Sequence, residues 1–197
     1  SITSRWSPYH CKQNTLKLVA CYATYCQPTS TSATASLPDG RPLLPDNAAM
    51  QGGPQVRSGP WRADAVATFL DTSVIPIRLS SNGATYPLVQ SLWFLHLDGE
   101  IWCCTRADSV LARRLTADGR CGFEVSGDAP PYRGVRGTGD AELVPAVAPE
   151  LLPRLLSRYL GGTDSGLAAW LLSRIDGEVA IRIHNLRVTS WDYSARM

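Results

Sequence analysis

The side chains in this chain best suited to phosphate chemistry are Thr105, Arg113 and Arg114, with Ser109 between them. A phosphate takes hydroxyl protons, guanidinium forks and the free N–H groups at the positive end of a helix. The stretch EIWCCTRADSVLARRLTADGRCGFEV at 100–125 offers all three. Residues 100–105 are β-favouring and read as a strand that stops at Thr105. Arg106, Ala107 and Asp108 break it, and a short helix runs from Ser109 to about Asp118, with Asp108 and Ser109 both suitable N-caps. Leu111 and Leu115 share one face of that helix, while Arg113 and Arg114 point elsewhere. Gly119 ends it, and 121–125 resumes a strand. The same residues also read as an ordinary strand–helix–strand connection with a solvated arginine pair, Thr105 ending a strand and Ser109 capping a helix.

Other chemistry has little to build on. No Ser–His–Asp arrangement or paired carboxylates can be argued, so hydrolysis has no support. The histidines (His10, His96, His184) are scattered, and His96 and His184 sit among apolar strand neighbours, as core histidines do. The six cysteines form no recognisable framework and no Cys-x-x-Cys occurs. Adjacent Cys103 and Cys104 face opposite sides of a strand and are poorly placed to chelate one metal. Cys11, Cys21 and Cys26 with His10 are the one conceivable metal set, but buried free thiols suit the pattern better, and no metal is expected.

The elements that must position these groups emerge from composition and periodicity. At 197 residues and 44% hydrophobic, the chain can bury the core of one full domain. A net charge of +2 implies no field of the size that nucleic acid demands. No apolar run is long enough to cross a bilayer, and 16–23 is too short and mixed for a signal peptide. A cytoplasmic protein is the default expectation. Residues 1–60 hold QPTSTSATAS at 27–36 and scattered Pro and Gly, so they read as a flexible extension, apart from a short strand or helix over 15–25. Met50, ahead of QGGP, suits an internal start.

From Trp61 the pattern sharpens. Residues 62–70 read as a short amphipathic helix, 74–79 as a strand, SSNG at 80–83 as a hairpin turn and 85–97 as one long strand. Asp98-Gly99 is a two-residue turn of the kind that needs positive φ. A loop at 126–131 leads to a glycine-bearing strand over 132–144, and helices follow over 149–160 and 166–174. Strands at 179–184 and 187–193, hinged at Asn185, close the chain. Six or seven strands in antiparallel hairpins favour a mainly β fold, a β-barrel with helices packed outside.

From about Ala65 to Ser194 the chain resembles the pyridoxamine 5′-phosphate oxidase-like family, the flavin-binding split β-barrels. The matching pieces, in order, are PLVQSLWF at 87–94, Asp98-Gly99, Thr105 with Ser109, and RRL at 113–115. PYRGV at 131–135, GDAEL at 139–143 and SWDYS at 190–194 complete the match, which covers about two-thirds of the chain. The resemblance implies a split-barrel domain over 61–197 that forms a homodimer, with two flavin mononucleotide (FMN) sites at the subunit interface. By position, Ser91 and Leu92 would lie along the isoalloxazine ring, and Thr105, Ser109 and Arg113 would take the phosphate. Arg133 would approach from the other subunit, and Trp191 would border the ring pocket.

One departure stands out: where the family commonly carries a basic pair after the phosphate-binding serine, this chain has Val110 and Leu111. A charged hydrogen bond is worth roughly 1.5–3 kcal/mol, so the loss of two weighs heavily on affinity unless Arg106, Arg113 or Arg114 compensates. Trp93 and Trp191 also read as core aromatics. The implied activity is an FMN-dependent oxidoreductase that passes hydride or electrons to a small organic substrate. No residue stands out as an acid or base, which suits direct hydride transfer. The alternatives are a deazaflavin (coenzyme F-420)-dependent reductase, or a non-catalytic protein that holds flavin or haem.

Overall fold

The computed structural model describes residues 53–197. The element expected over 15–25, the Cys11–Cys21–Cys26–His10 set and the Met50 start lie outside the described residues. The first described strand, β1 (Gln55–Ser58), falls inside the span whose composition reads as an extension.

Eight strands make one curled sheet. β2 (Ile77–Ser81), β3 (Leu88–Leu92), β4 (Phe94–Leu97), β5 (Glu100–Arg106), β6 (Arg120–Ser126), β7 (Arg133–Val144) and β8 (Glu178–Asp192) run in the order β3-β2-β6-β7-β8-β5-β4. All these pairings are antiparallel, and β1 adds to β8 in parallel. The two ends of that path, β3 and β4, are separated in sequence by Trp93 alone. So short a link forces the sheet to curl until its ends meet. The fold is therefore a mainly β split barrel, as its patterning implies.

The single strand expected over 85–97 is broken at Trp93 because the chain there leaves β2 and takes up pairing with β5. Trp93 stacks on Tyr159 at 5.3 Å between ring centres, which makes it a packing residue at the pivot. The Tyr159 hydroxyl accepts from the Phe94 N–H at 3.3 Å and donates to the Ile75 carbonyl at 3.2 Å. Conversely, the two strands expected around Asn185 are one continuous β8: Asn185 takes φ +54° without ending the ladder. Asparagine tolerates that left-handed conformation better than most residues.

The barrel interior is filled by alternate strand residues, among them Ile77, Leu79, Phe94, Ile101, Cys103, Phe123, Val125, Ile181, Ile183 and Val188. Helix α1 (Ala63–Thr72) adds Val66 and Leu70, and α2 (Val110–Ala117) adds Leu111 and Leu115. A second layer covers one half of the outside. There Leu95, Leu97, Trp102 and Ala180 pack against Val147, Ala148, Leu151 and Leu155 on and just before α3 (Ala148–Leu160). The other side of α3 buries Leu152 and Leu156 against Ala168 of α4 (Gly166–Leu172). Strands β4 and β5 are thus apolar on both faces, whereas β2 and β6 alternate. Cys103 faces the interior and Cys104 the outer layer, opposite sides of β5.

Candidate functional site

Strand β5 ends where α2 begins, and three residues of turn join them. Thr105 is buried, and its Oγ1 donates to Ser109 Oγ at 3.3 Å. Ser109 is the N-cap of α2; its Oγ also accepts from the Ala112 N–H at 3.0 Å. With its oxygen accepting from both neighbours, the Ser109 hydroxyl can direct its own proton outward. The first N–H groups of α2, those of Val110 and Leu111, have no partner within the helix by the geometry of any helix start. Arg113 Nη1 donates to the Asp108 carbonyl at 2.5 Å, which holds the guanidinium at this turn.

The neighbouring arginines are turned to other tasks. Arg106 makes a two-pronged pair with the Asp108 carboxylate, Nε to Oδ1 at 3.0 Å and Nη2 to Oδ2 at 3.1 Å. Those bonds hold the Asp108 carboxyl below the usual carboxylate range. Arg114 Nη1 donates to the Tyr86 carbonyl at 3.0 Å and ties α2 to the β2–β3 loop. Leu111 lies fully in the core, so its position could not present a cation outward; Val110, 49% exposed, could.

Leu92 is joined to this turn by register. Phe94 pairs with Cys103 in the antiparallel β4–β5 ladder, and continuing that ladder two residues brings Leu92 opposite Thr105. Beyond Trp93, however, β3 is bonded to β2, and among the described residues no strand pairs with the edge it turns toward β5. This is the split in the barrel. An edge strand carries backbone N–H and C=O groups that no ladder uses. Ser91 is exposed on β3, while the Leu92 side chain is in the core, so Leu92 offers only its backbone. Ser91, Leu92, Thr105, Ser109 and Arg113 therefore gather at one seam.

Arg133 and Trp191 do not join them. Arg133 pairs in register with Asp192, and Trp191 with Gly134, at the far end of β8. Thr105 pairs with Val179 near the start of β8, whereas Trp191 and Asp192 stand twelve and thirteen residues further along the same strand. Arg136 lies over the Trp191 ring at 5.8 Å from its centre. His96 is buried, its Nδ1 2.7 Å from Asp71 Oδ1. Among the described residues no group of three or more His, Cys, Asp or Glu converges as a metal site, and no helix is long and apolar enough to cross a membrane. Burial pushes the Cys121 thiol up to about 12 and those of Cys103 and Cys104 up as well. A role that sequence alone does not reveal is that of Thr105 as the group behind Ser109. The alternation of β5 carries the signal, since it turns Thr105 inward with Ile101 and Cys103.

No family model matches the chain, and no curated protein does either. Solved structures do match. The conserved hypothetical protein Rv2991 from Mycobacterium tuberculosis is 30% identical over 70% of this chain and 89% of that one, with a TM-score of 0.57. A putative pyridoxamine 5′-phosphate oxidase from Listeria innocua is 15% identical over 64% of this chain and 95% of that one, with a TM-score of 0.50. An F420 reductase is 20% identical over 58% and 89%, also with a TM-score of 0.50. The last two likenesses are of fold.

Proposed function

The chain belongs to the pyridoxamine 5′-phosphate oxidase-like split β-barrel family, and from that premise we propose that it is a flavin-dependent oxidoreductase, acting on a small organic substrate with FMN as its cofactor. The observation that carries this reading is the seam itself: a strand edge at Ser91–Leu92 that no described strand pairs, beside a helix start that aims hydroxyl, N–H and guanidinium donors outward. A flat ring suits the first and an anionic tail the second. Ser109, the α2 N–H groups and Arg113 hold the phosphate, and Thr105 orients Ser109 from behind. Arg113 bonds a carbonyl and not a carboxylate, so its charge remains for the ligand, whereas that of Arg106 is offset by Asp108.

Arg133 and Trp191 enter the site from a second copy, because within one chain they stand at the opposite end of β8 from the residues that pair with β5. The working form is a homodimer with two equivalent sites. The bound flavin supplies the hydride or electron chemistry. The chain's own part is to hold the ring flat against β3, fix the tail and keep water off one side of the ring. Direct hydride transfer needs no protein acid, in keeping with a seam that presents none from Ser91, Leu92, Thr105 or Ser109. Deazaflavin coenzyme F-420 is the second reading, favoured by the likeness in fold to an F420 reductase.

Flavin fluorescence quenching tests the assignment. Arg113→Ala should weaken FMN about tenfold to a hundredfold, the worth of a charged hydrogen bond, and leave riboflavin nearly unchanged. Equal weakening of both ligands would defeat the phosphate assignment.

A further inference from the structure

The far end of β8 is fastened by a strap that the chain lays down before the barrel begins. β1 runs parallel to it, Gln55 beside Arg187 and Val56 beside Val188, and the Ser58 and Thr189 hydroxyls bond at 3.1 Å. Gly59 then turns with φ +108° so close to β8 that a Cβ there would collide with the Ser190 carbonyl oxygen. Only glycine lets the chain cross at that point. Trp61 follows and is held from three sides. Its backbone N–H donates to Ser190 Oγ at 3.0 Å, and its ring lies against Phe69 of α1, 5.0 Å between centres. Its indole Nε1–H donates to Asp192 Oδ2 at 3.3 Å.

That last bond engages the carboxylate that stands in register beside Arg133. Asp192 Oδ1 accepts from the Ser194 N–H at 2.9 Å, so each carboxylate oxygen takes an uncharged donor. Bonds from Ser194 foremost, then the Trp61 bond and the charge of Arg133, hold this carboxyl below the usual range. Arg133 thus feels Asp192, yet no ion pair joins it to any carboxylate among the described residues. We propose, on the reading of Arg133 as a contact to the second copy's flavin, that Trp61 is a positioning residue for that site: its indole N–H keeps the Asp192 carboxylate from closing on Arg133.

Without the indole donor, Asp192 Oδ2 loses its partner, and the cation in register beside it is Arg133. A carboxylate and a guanidinium form the stronger, two-pronged bond, as Asp108 and Arg106 do. An Arg133 captured in that way is withdrawn from the ligand, and flavin binds fully only to the fraction of chains in which the pair is open. The strap therefore tunes the part of β8 that one copy lends to the other.

Trp61→Phe tests this in the full chain, since it keeps a ring against Phe69 and removes only the side-chain donor. By flavin fluorescence quenching it should weaken FMN about threefold to fivefold, the hold of a partly exposed ion pair. Adding Asp192→Asn removes the competing charge and should return the affinity to within about twofold of the unsubstituted chain. A part in packing alone would leave the double variant at least as weak as the single one. In the flavin-free chain, the Arg133 Nε–H resonance should move on Trp61→Phe and move back in the double variant. An unmoved resonance, a double variant no tighter than Trp61→Phe, or FMN affinity untouched by Trp61→Phe where Arg133→Ala weakens it would overturn the role of Trp61 and leave the flavin reading standing. A resonance that moves while neither Trp61→Phe nor Arg133→Ala changes FMN affinity would refute the reading of Arg133, and this role with it.

Discussion

The two halves of the sheet carry the same alternation toward opposite ends. Outside β4, β5 and the first part of β8, the chain places Leu95, Leu97, Trp102 and Ala180, and α3 covers them. Outside β3, β2, β6, β7 and the later part of β8, it places Ser91, Arg78, Glu124, Arg136 and Thr189 in one register row, and no helix among the described residues covers them. The covered half stabilises the barrel. The polar half is where groups remain available for a ligand or a second copy. One strand, β8, belongs to both, and its change of character falls at Asn185.

The largest effect that would sharpen this contrast lies under α3. Leu151 and Leu155 are buried against the sheet, and truncating either to alanine should cost about 2–5 kcal/mol in denaturant melts. At the seam between the halves, Tyr159→Phe strands the Phe94 N–H and the Ile75 carbonyl and should cost about 1–3 kcal/mol by the same measurement. On the uncovered half, Arg136→Ser, in a sample dilute enough to be monomeric, should cost no more than about 1 kcal/mol, the worth of its contact with Trp191. A loss as large as that of Leu151→Ala there would mean that this face is packed within one chain, and would break the contrast.

Chemistry separates the halves as well. The buried Cys103, with its thiol pushed up, should resist alkylation at pH 8 in the native chain and react once it is unfolded. At the entry to β8, burial holds the Glu178 carboxyl above its ordinary value despite attraction from Arg106 and Arg174. A carboxyl raised by folding favours the native state when protonated, and that contribution is lost as pH rises through its folded pKa. Glu178→Gln should therefore raise the denaturation midpoint at pH 7 and leave it unchanged at pH 3, the smallest effect of the set.

The barrel was legible in the sequence because its elements are short, alternating and punctuated: Asp98-Gly99 turns and Ser109 caps a helix as read. The break at Trp93 was not legible. Residues on both sides favour strand, and only the exchange of β2 for β5 as partner divides them. Asn185 misled in the other direction, since an asparagine that takes positive φ inside a ladder looks like a hinge. At the site, Ser109 and Arg113 were readable by type and position. The inward turn of Thr105 and the capture of Arg106 by Asp108 depend on side-chain directions that a string of letters does not fix.

The central claim is that each flavin site draws on two copies of the chain, and complementation of binding tests it most directly. Arg113→Ala and Arg133→Ala chains, each deficient alone, are mixed in equal amounts, allowed to exchange, and titrated with FMN. In a mixed dimer one site holds both substitutions and the other neither, so tight binding should return at about one flavin per four chains. A mixture that binds no better than its two components would contradict the account.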